Sequence, residues 1–260
     1  DYMTVTDVNV VKSAIFERPD DANKGTLGSL LCVCGSYGMA GAAVMSTKGA
    51  LRTGIGLAKC ALPRSIYPIV AQTILESVYY PLSENADGRI AKVNVPFLVS
   101  ESCKSSATLV GCGLGVCDDT LKIVFSLIEN STTPLVLDAD ALNCVAKQPE
   151  ILLKKKAPII ITPHPGEMSR LTGLATPLVN AERERVALDF AQKYGVVTVL
   201  KGAGTVIASP NGKVLVNPTG NSGMATGGSG DVLAGMTASI LAQGASAFPS
   251  AAAADRKSVV

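Results

Sequence analysis

One pattern constrains the fold more than any other: short, wholly apolar runs, each ending on a loop opened by glycine, a carboxylate, proline or lysine. Leu30-Leu31-Cys32-Val33-Cys34 closes on Gly35, and Thr108-Leu109-Val110 closes on Gly111. Leu135-Val136-Leu137 runs into Asp138, Ile159-Ile160-Ile161 into Thr162-Pro163, and Val196 to Leu200 into Lys201. Runs this short, without polar alternation, mark strands buried on both faces. Helical spacing fills the intervals. Gly41 to Thr53 reads as a small-residue helix. Leu57 to Leu62 is strand-like, and Pro63 opens a short helix around Ile66 to Val70. Thr120 to Ile128 is helical, and so is Asn180 to Lys193, which holds neither Gly nor Pro. Val186, Ala187, Phe190 and Ala191 share one face of that last helix. Strands separated by helices predict an α/β fold, a mostly parallel central sheet flanked by helices. One hairpin interrupts the pattern: Val206-Ile207-Ala208 and Val214-Leu215-Val216, joined through Pro210-Asn211-Gly212.

In an open parallel sheet, ligands bind beyond the carboxyl ends of the strands. The loops opening at Gly35, Gly111, Asp138, Thr162 and Lys201 are therefore expected to meet in one crevice. Composition narrows the function classes. Charged residues make up 17% against 47% hydrophobic, so the chain can bury a core. The net charge of +2 leaves no electrostatic footprint for nucleic acid or an anionic membrane. No apolar run reaches the roughly 18 residues of a membrane span, and no secretory signal opens the chain. Seven scattered cysteines without zinc spacing read as reduced thiols of a cytoplasmic protein. The single histidine, His164, excludes a multi-histidine metal site within one chain.

No linker divides the chain, and a single domain is expected over residues 1–254. Because residue 1 is Asp, further residues are expected upstream. After the helical pattern of Ala251 to Ala254 comes Asp255-Arg256-Lys257-Ser258-Val259-Val260. This hexapeptide can be written GAT CGG AAG AGC GTC GTG, the start of a widely used sequencing adapter. Residues 255–260 are accordingly expected to be a non-native tail, with the natural C-terminus truncated.

Several segments could carry chemistry. The glycine-rich stretch from Asn217 to Asp231 leads into apolar Val232 to Met236. The backbone N–H groups of Gly227, Gly228, Ser229 and Gly230 can crowd around an anion, with a helix dipole behind them. Asp231, kept ionised by that dipole, could accept a proton from a hydroxyl beside a phosphate. Equally, Ser229 or Asp231 could be a simple N-cap. Gly35 to Ala43 allows close backbone approach to a ligand, or only tight helix–sheet packing. Gly111-Cys112-Gly113-Leu114-Gly115 lacks dinucleotide spacing, since Val116 stands where the third glycine belongs. His164, held between Pro163 and Pro165, is rigid enough for a functional or a structural role. Glu167 could hold a metal-bound water or complement a helix N-terminus. Asp138 and Asp140 could organise Mg²⁺ or bind a sugar hydroxyl, with helix capping as the alternative for Asp140. Lys201-Gly202-Ala203-Gly204-Thr205 suits phosphates, or is a plain turn.

Taken in order, GSYGMAGAA, LDADALN, TPHPGE, KGAGT and NPTGNSGMATGGSGDVLAGM resemble the bacterial ADP-dependent (S)-NAD(P)H-hydrate dehydratases of the ribokinase-like superfamily. The resemblance runs from about Thr6 to Gly244. It implies a three-layer ribokinase-like sandwich and an enzyme that repairs hydrated NAD(P)H, with ADP as co-substrate and Mg²⁺ as cofactor. By this resemblance, Ala43, Gly113, His164 and Asp231 contact the hydrated cofactor. Lys201, Gly202, Ala203, Gly204, Thr205 and Gly230 bind the nucleotide. Asp231 is the base, and Glu167 is a candidate Mg²⁺ organiser through water. A homo-oligomer is expected, as is an NAD(P)H-hydrate epimerase, fused upstream or separate. Two other functions compete: a small-alcohol kinase of the hydroxyethylthiazole kinase type, and a non-catalytic adenine-nucleotide-binding module.

Overall fold

The strands expected from the apolar runs lie where those runs place them. A computed structural model of the chain describes residues 4–5, 8–15 and 25–257. In chain order the elements are β1 (Thr4–Val5), α1 (Val8–Ala14), β2 (Ser29–Val33), α2 (Ala40–Thr53), β3 (Leu57–Pro63), α3 (Tyr67–Thr73) and β4 (Val78–Leu82). Then come α4 (Val95–Lys104), β5 (Ala107–Val110), α5 (Asp118–Asn130), β6 (Leu135–Leu137), α6 (Asp140–Val145), β7 (Ile159–Ile161), α7 (Pro165–Thr172), α8 (Thr176–Ala181) and α9 (Arg183–Tyr194). The last are β8 (Val197–Leu200), β9 (Thr205–Ala208), β10 (Val214–Asn217), α10 (Ser229–Ala242) and α11 (Ala247–Lys257).

All the strands form one sheet in the order β1-β10-β9-β8-β7-β6-β5-β2-β3-β4. From β8 to β4 every neighbouring pair is parallel; β9 is antiparallel to β8 and to β10. Period-two alternation along β2 divides the core. Leu31 and Val33 face a layer built from α4 to α9, including Leu98, Ile123, Leu142, Met168, Val179 and Phe190. Leu30 and Cys32 face α2, α3, α10 and α11, including Ala50, Val70, Ala234 and Ala251. The result is the expected three-layer sandwich.

Two details position the site. The strand order reverses at β2, which pairs with β3 on one side and β5 on the other. That reversal opens a crevice between the carboxyl ends of β2 and β5. The second detail is the contact between α2 and α10, which meet backbone to backbone. A Cβ on Gly49 would lie 2.8 Å from the Val232 oxygen, and one on Gly235 would overlap the Ser46 oxygen.

The structure departs from the sequence pattern in two places. The helix expected from Asn180 to Lys193 is broken at Glu182, whose φ of −126° and ψ of 40° leave the helical region. No Gly or Pro signals the break; a tertiary contact does, because Arg183 then reaches the Leu200 carbonyl. The last helix does not stop at Ala254 but continues to Lys257. Asp255 is buried, and its Oδ2 accepts from Asn217 Nδ2 at 2.6 Å. Residues 258–260 of the expected tail lie outside the described residues.

Candidate active site

The crevice begins where β2 and β5 end. Gly35 N donates to Cys112 O at 2.8 Å, and Ser36 Oγ donates to Gly113 O at 2.8 Å. Gly113, with φ of +62°, sits so close to α2 that a Cβ would stand 2.7 Å from Ala42 Cβ. Ala43 is 2% exposed and its methyl belongs to the core.

Beyond β6 the chain turns sharply. Ala139 takes φ of 49° and ψ of −113°, the one positive φ outside glycine among the described residues. Such backbone costs on the order of 1–3 kcal/mol and persists only where surrounding contacts hold it. Here it sends two nearby carboxylates apart. Asp138, 1% exposed, faces the crevice floor. Its Oδ1 accepts from Thr162 Oγ1 and from Lys201 Nζ, each at 2.7 Å. Asp140 turns away: its Oδ2 accepts from Gly115 N at 2.8 Å and its Oδ1 from Asn143 Nδ2 at 3.3 Å. The expected Asp138–Asp140 pair is thus not a pair. Asp140 organises the loop after β5.

His164 is the N-cap of α7. Its Nδ1 accepts from Gly166 N at 3.0 Å and Glu167 N at 3.4 Å, which places the neutral ring's proton on Nε2. Glu167 completes a capping box, its Oε2 accepting from His164 N at 2.7 Å. Burial, then Lys201 and Arg170, push the imidazole below its usual range. Burial raises the Glu167 carboxyl, with Lys201 working the other way. The structural expectation for this turn holds, since both residues cap α7, and Glu167 also lies 3.9 Å from Lys201 Nζ.

Burial alone would lower the Lys201 ammonium, yet Asp138 and Glu167 hold it above its usual range. Its Nζ is 3.9 Å from Glu167 Oε2 and 3.4 Å from the position a Cβ on Gly230 would take. This one cation links the ends of β6, β7 and β8 to the start of α10. The rest of its loop is spare: no group among the described residues accepts from the N–H of Gly202, Ala203 or Gly204. Thr205 is buried, and its hydroxyl donates to Gly202 O at 3.2 Å.

The N-cap of α10 is Gly228, at φ of 92°, with no side-chain cap. Ser229 Oγ instead donates to Thr226 O at 3.0 Å. Within the first turn, Ser229 N donates to Thr226 O and Val232 N to Gly228 O. The N–H groups of Gly230 and Asp231 have no such partner among the described residues, as helix starts require. Asp231 corrects one expectation. The helix dipole does not dominate its ionisation; burial, followed by repulsion from Asp138, raises the carboxyl to about 6.

Two side chains that pack against these loops carry no expectation of their own in the sequence. Cys112 is fully buried, and its Sγ lies with carboxylate oxygens of Asp138 and Asp231 inside a 4.8 Å cluster. Its place between Gly111 and Gly113 at a strand end was the available signal. Arg183, whose guanidinium reaches Leu200 O, gave none, because its helix appeared continuous.

Comparison with known proteins follows the same lines. The sequence model of the NAD(P)H-hydrate dehydratase family matches residues 30–258. A bifunctional NAD(P)H-hydrate repair enzyme of Thermofilum pendens is 41% identical over 227 residues, covering 87% of this chain and 43% of that protein. The chain thus spans less than half the length of such bifunctional relatives. The ADP-dependent (S)-NAD(P)H-hydrate dehydratase of Neisseria meningitidis is 35% identical over 239 residues, 91% of this chain and 76% of that one. The ADP/ATP-dependent NAD(P)H-hydrate dehydratase of Bacillus subtilis, co-crystallised with ATP and Mg²⁺, superposes with a TM-score of 0.84 at 30% identity. That match covers 99% of this chain and 87% of the other.

Proposed function

The chain belongs to the NAD(P)H-hydrate dehydratase family, and from that premise we propose that it dehydrates the S epimer of hydrated NAD(P)H at the expense of ADP, releasing AMP and phosphate. The observation that carries this reading is the placement of Asp231. Its carboxyl, raised to about 6, stands in the first turn of α10 beside unspent backbone N–H groups. A base poised near neutrality, next to an anion cradle, suits the transfer of a phosphoryl group to a hydroxyl.

The chemistry demands this arrangement. Hydroxide is a poor leaving group, and phosphate is a good one. Asp231 takes the hydroxyl proton as the oxygen attacks the terminal phosphorus of ADP and the bond to AMP breaks. The ring nitrogen's lone pair then expels phosphate, and loss of a proton from the neighbouring carbon restores the double bond. The N–H groups of Gly227, Gly228 and Gly230 cradle the moving phosphoryl group, that of Ser229 being engaged by Thr226 O, and Lys201 to Thr205 with Gly230 hold the nucleotide. Ala43 and Gly113, together with His164, line the side that receives the hydrated ring. A base of this kind contributes about 10²- to 10⁴-fold to rate.

Mg²⁺ fits the residues present. It takes one or two carboxylates plus phosphate and water oxygens, and Asp138 keeps one carboxylate oxygen, Oδ2, that neither Lys201 nor Thr162 engages. Glu167, already engaged by the His164 N–H, would reach the ion only through water. When bound, Mg²⁺ neutralises phosphate charge. The same reading places the protein in the cytoplasm as a homo-oligomer working with an epimerase, fused or separate.

The test is to incubate the chain with hydrated NADH, Mg²⁺ and either ADP or ATP, and to follow the returning near-ultraviolet absorbance of NADH. Recovery with ADP, accompanied by AMP and phosphate, is the expected outcome. Consumption of ATP with a stable phosphorylated product would move the small-alcohol kinase reading ahead. Nucleotide binding without turnover would favour a binding module.

A further inference from the structure

Arg183 opens α9 and passes its guanidinium beneath the loop that leaves β8. Its Nη2 donates to Leu200 O at 2.8 Å and reaches Gly204 O at 3.5 Å, so it spans both ends of that loop. The middle of the loop rests on it: a Cβ on Gly202 would lie 2.9 Å from Nη1 and 3.0 Å from Nη2. Gly202 itself is at φ of +147°, a conformation that L side chains rarely adopt. The Arg183 Nε is sealed from solvent and meets no acceptor among the described residues. None of the ion pairs among the described residues includes Arg183; the carboxylate next to it in sequence, Glu182, pairs with Arg185.

A half-buried cation without an anion is costly, and carbonyl oxygens compensate it only in part. The loop it spans carries the unspent N–H groups of Gly202, Ala203 and Gly204, consecutive donors of the kind that cup anionic oxygens. Cation and donors point to the same ligand chemistry. We propose that Arg183 is a positioning residue for the nucleoside diphosphate: it clamps the loop at Leu200 and Gly204 and supplies, from below, the positive charge that the bound phosphates complete. The inference rests on the proposed use of this loop for nucleotide. It adds a residue that acts through the loop without touching the nucleotide.

Isothermal titration of ADP and of adenosine into the wild type, Arg183→Met and Arg183→Lys tests it. The expected result is an ADP Kd raised about tenfold or more in Arg183→Met, with adenosine binding and the KM for hydrated NADH unchanged. Arg183→Lys, which keeps the charge and loses the fork, should fall between. The wild-type ADP Kd should also rise more steeply with salt than that of Arg183→Met. Wild-type ADP affinity in Arg183→Met, or an equal loss of ADP and adenosine binding, would overturn the inference and leave Arg183 a packing residue. If Arg183→Met fails to fold by circular dichroism, the ratio of ADP to adenosine affinity in Arg183→Lys decides in the same way. A wild-type chain that binds no adenine nucleotide would overturn the functional reading together with this one.

Discussion

The Lys201 ammonium lies 2.7 Å from Asp138 Oδ1, although the two residues leave strands β8 and β6, which β7 separates. Thr162, at the end of β7, donates to the same oxygen. Three successive strand ends are thereby tied through one buried atom. The side chains are 18% and 2% exposed, so solvent screens the pair little. Removing one partner strands the other. Lys201→Met is expected to cost about 3–5 kcal/mol, read from urea unfolding. The double variant Asp138→Asn, Lys201→Met should lose less than the sum of the single changes, because it leaves no uncompensated charge. Additive losses would show that the pair does not couple.

Asp231 should trade stability for function. Its folded value of about 6 exceeds the roughly 3.9 of an unfolded Asp. Between those values the folded chain holds a proton that the unfolded chain has released. Stability contributed by this group therefore falls as pH rises through that window. At neutral pH, Asp231→Asn should melt at a higher temperature than wild type. Its ADP affinity should be retained and its turnover should drop by about 10²-fold or more. In the wild type, the acidic limb of kcat/KM for hydrated NADH, which reports the free enzyme, should centre near pH 6. Near-wild-type turnover in Asp231→Asn would remove the base from the mechanism.

Much of this is legible before any coordinates. Strands buried on both faces write themselves as unbroken apolar runs, and β2, β5, β6, β7 and β8 stand within a residue of those runs. The rule that ligands gather beyond strand ends then brings Gly35, Gly111, Asp138, Thr162 and Lys201 together. The edge strand β4 and helix α4 escape because a half-exposed edge carries no such run: Val78 is 42% exposed and Phe97 is 38% exposed. The site's finer geometry escapes for a different reason. The divergence of Asp138 and Asp140 depends on the strained backbone of Ala139, and the reach of Arg183 on a helix break with no local signal. Both are tertiary demands that override propensity. The rise of Asp231 toward 6 likewise comes from burial and Asp138, neither of which is visible in the glycine-rich stretch.

Gly235 offers a test of how α10 is seated. A Cβ there would overlap the Ser46 carbonyl oxygen of α2. Intrinsic helix propensity favours alanine over glycine by about 1 kcal/mol, so a free helix would gain from Gly235→Ala. In this protein the two helices must separate, and overpacking of this kind costs about 1–3 kcal/mol. Gly235→Ala should therefore destabilise the chain in urea and, by shifting the start of α10 with Asp231, lower kcat more than the KM for ADP. Stabilisation by this change would refute the backbone contact.

His164 is the chain's one histidine, so a single imidazole signal reports on the crevice. Its Nδ1 accepts two N–H groups at the start of α7, and protonation would turn that acceptor into a donor facing donors. Burial, Lys201 and Arg170 act in the same direction, so the ring should titrate below the usual 6.5 or so. A histidine whose folded value is lowered contributes stability above the unfolded value and loses it as pH falls from about 6.5 toward the folded midpoint. Arg170→Gln removes one of the two nearby cations and should move the midpoint upward without disturbing the cap, since the capping contacts come from Gly166 and Glu167. Proton–carbon correlation spectra across a pH series give both midpoints. A wild-type midpoint at or above the ordinary value would mean that the half-exposed ring has left the α7 cap and the orientation described.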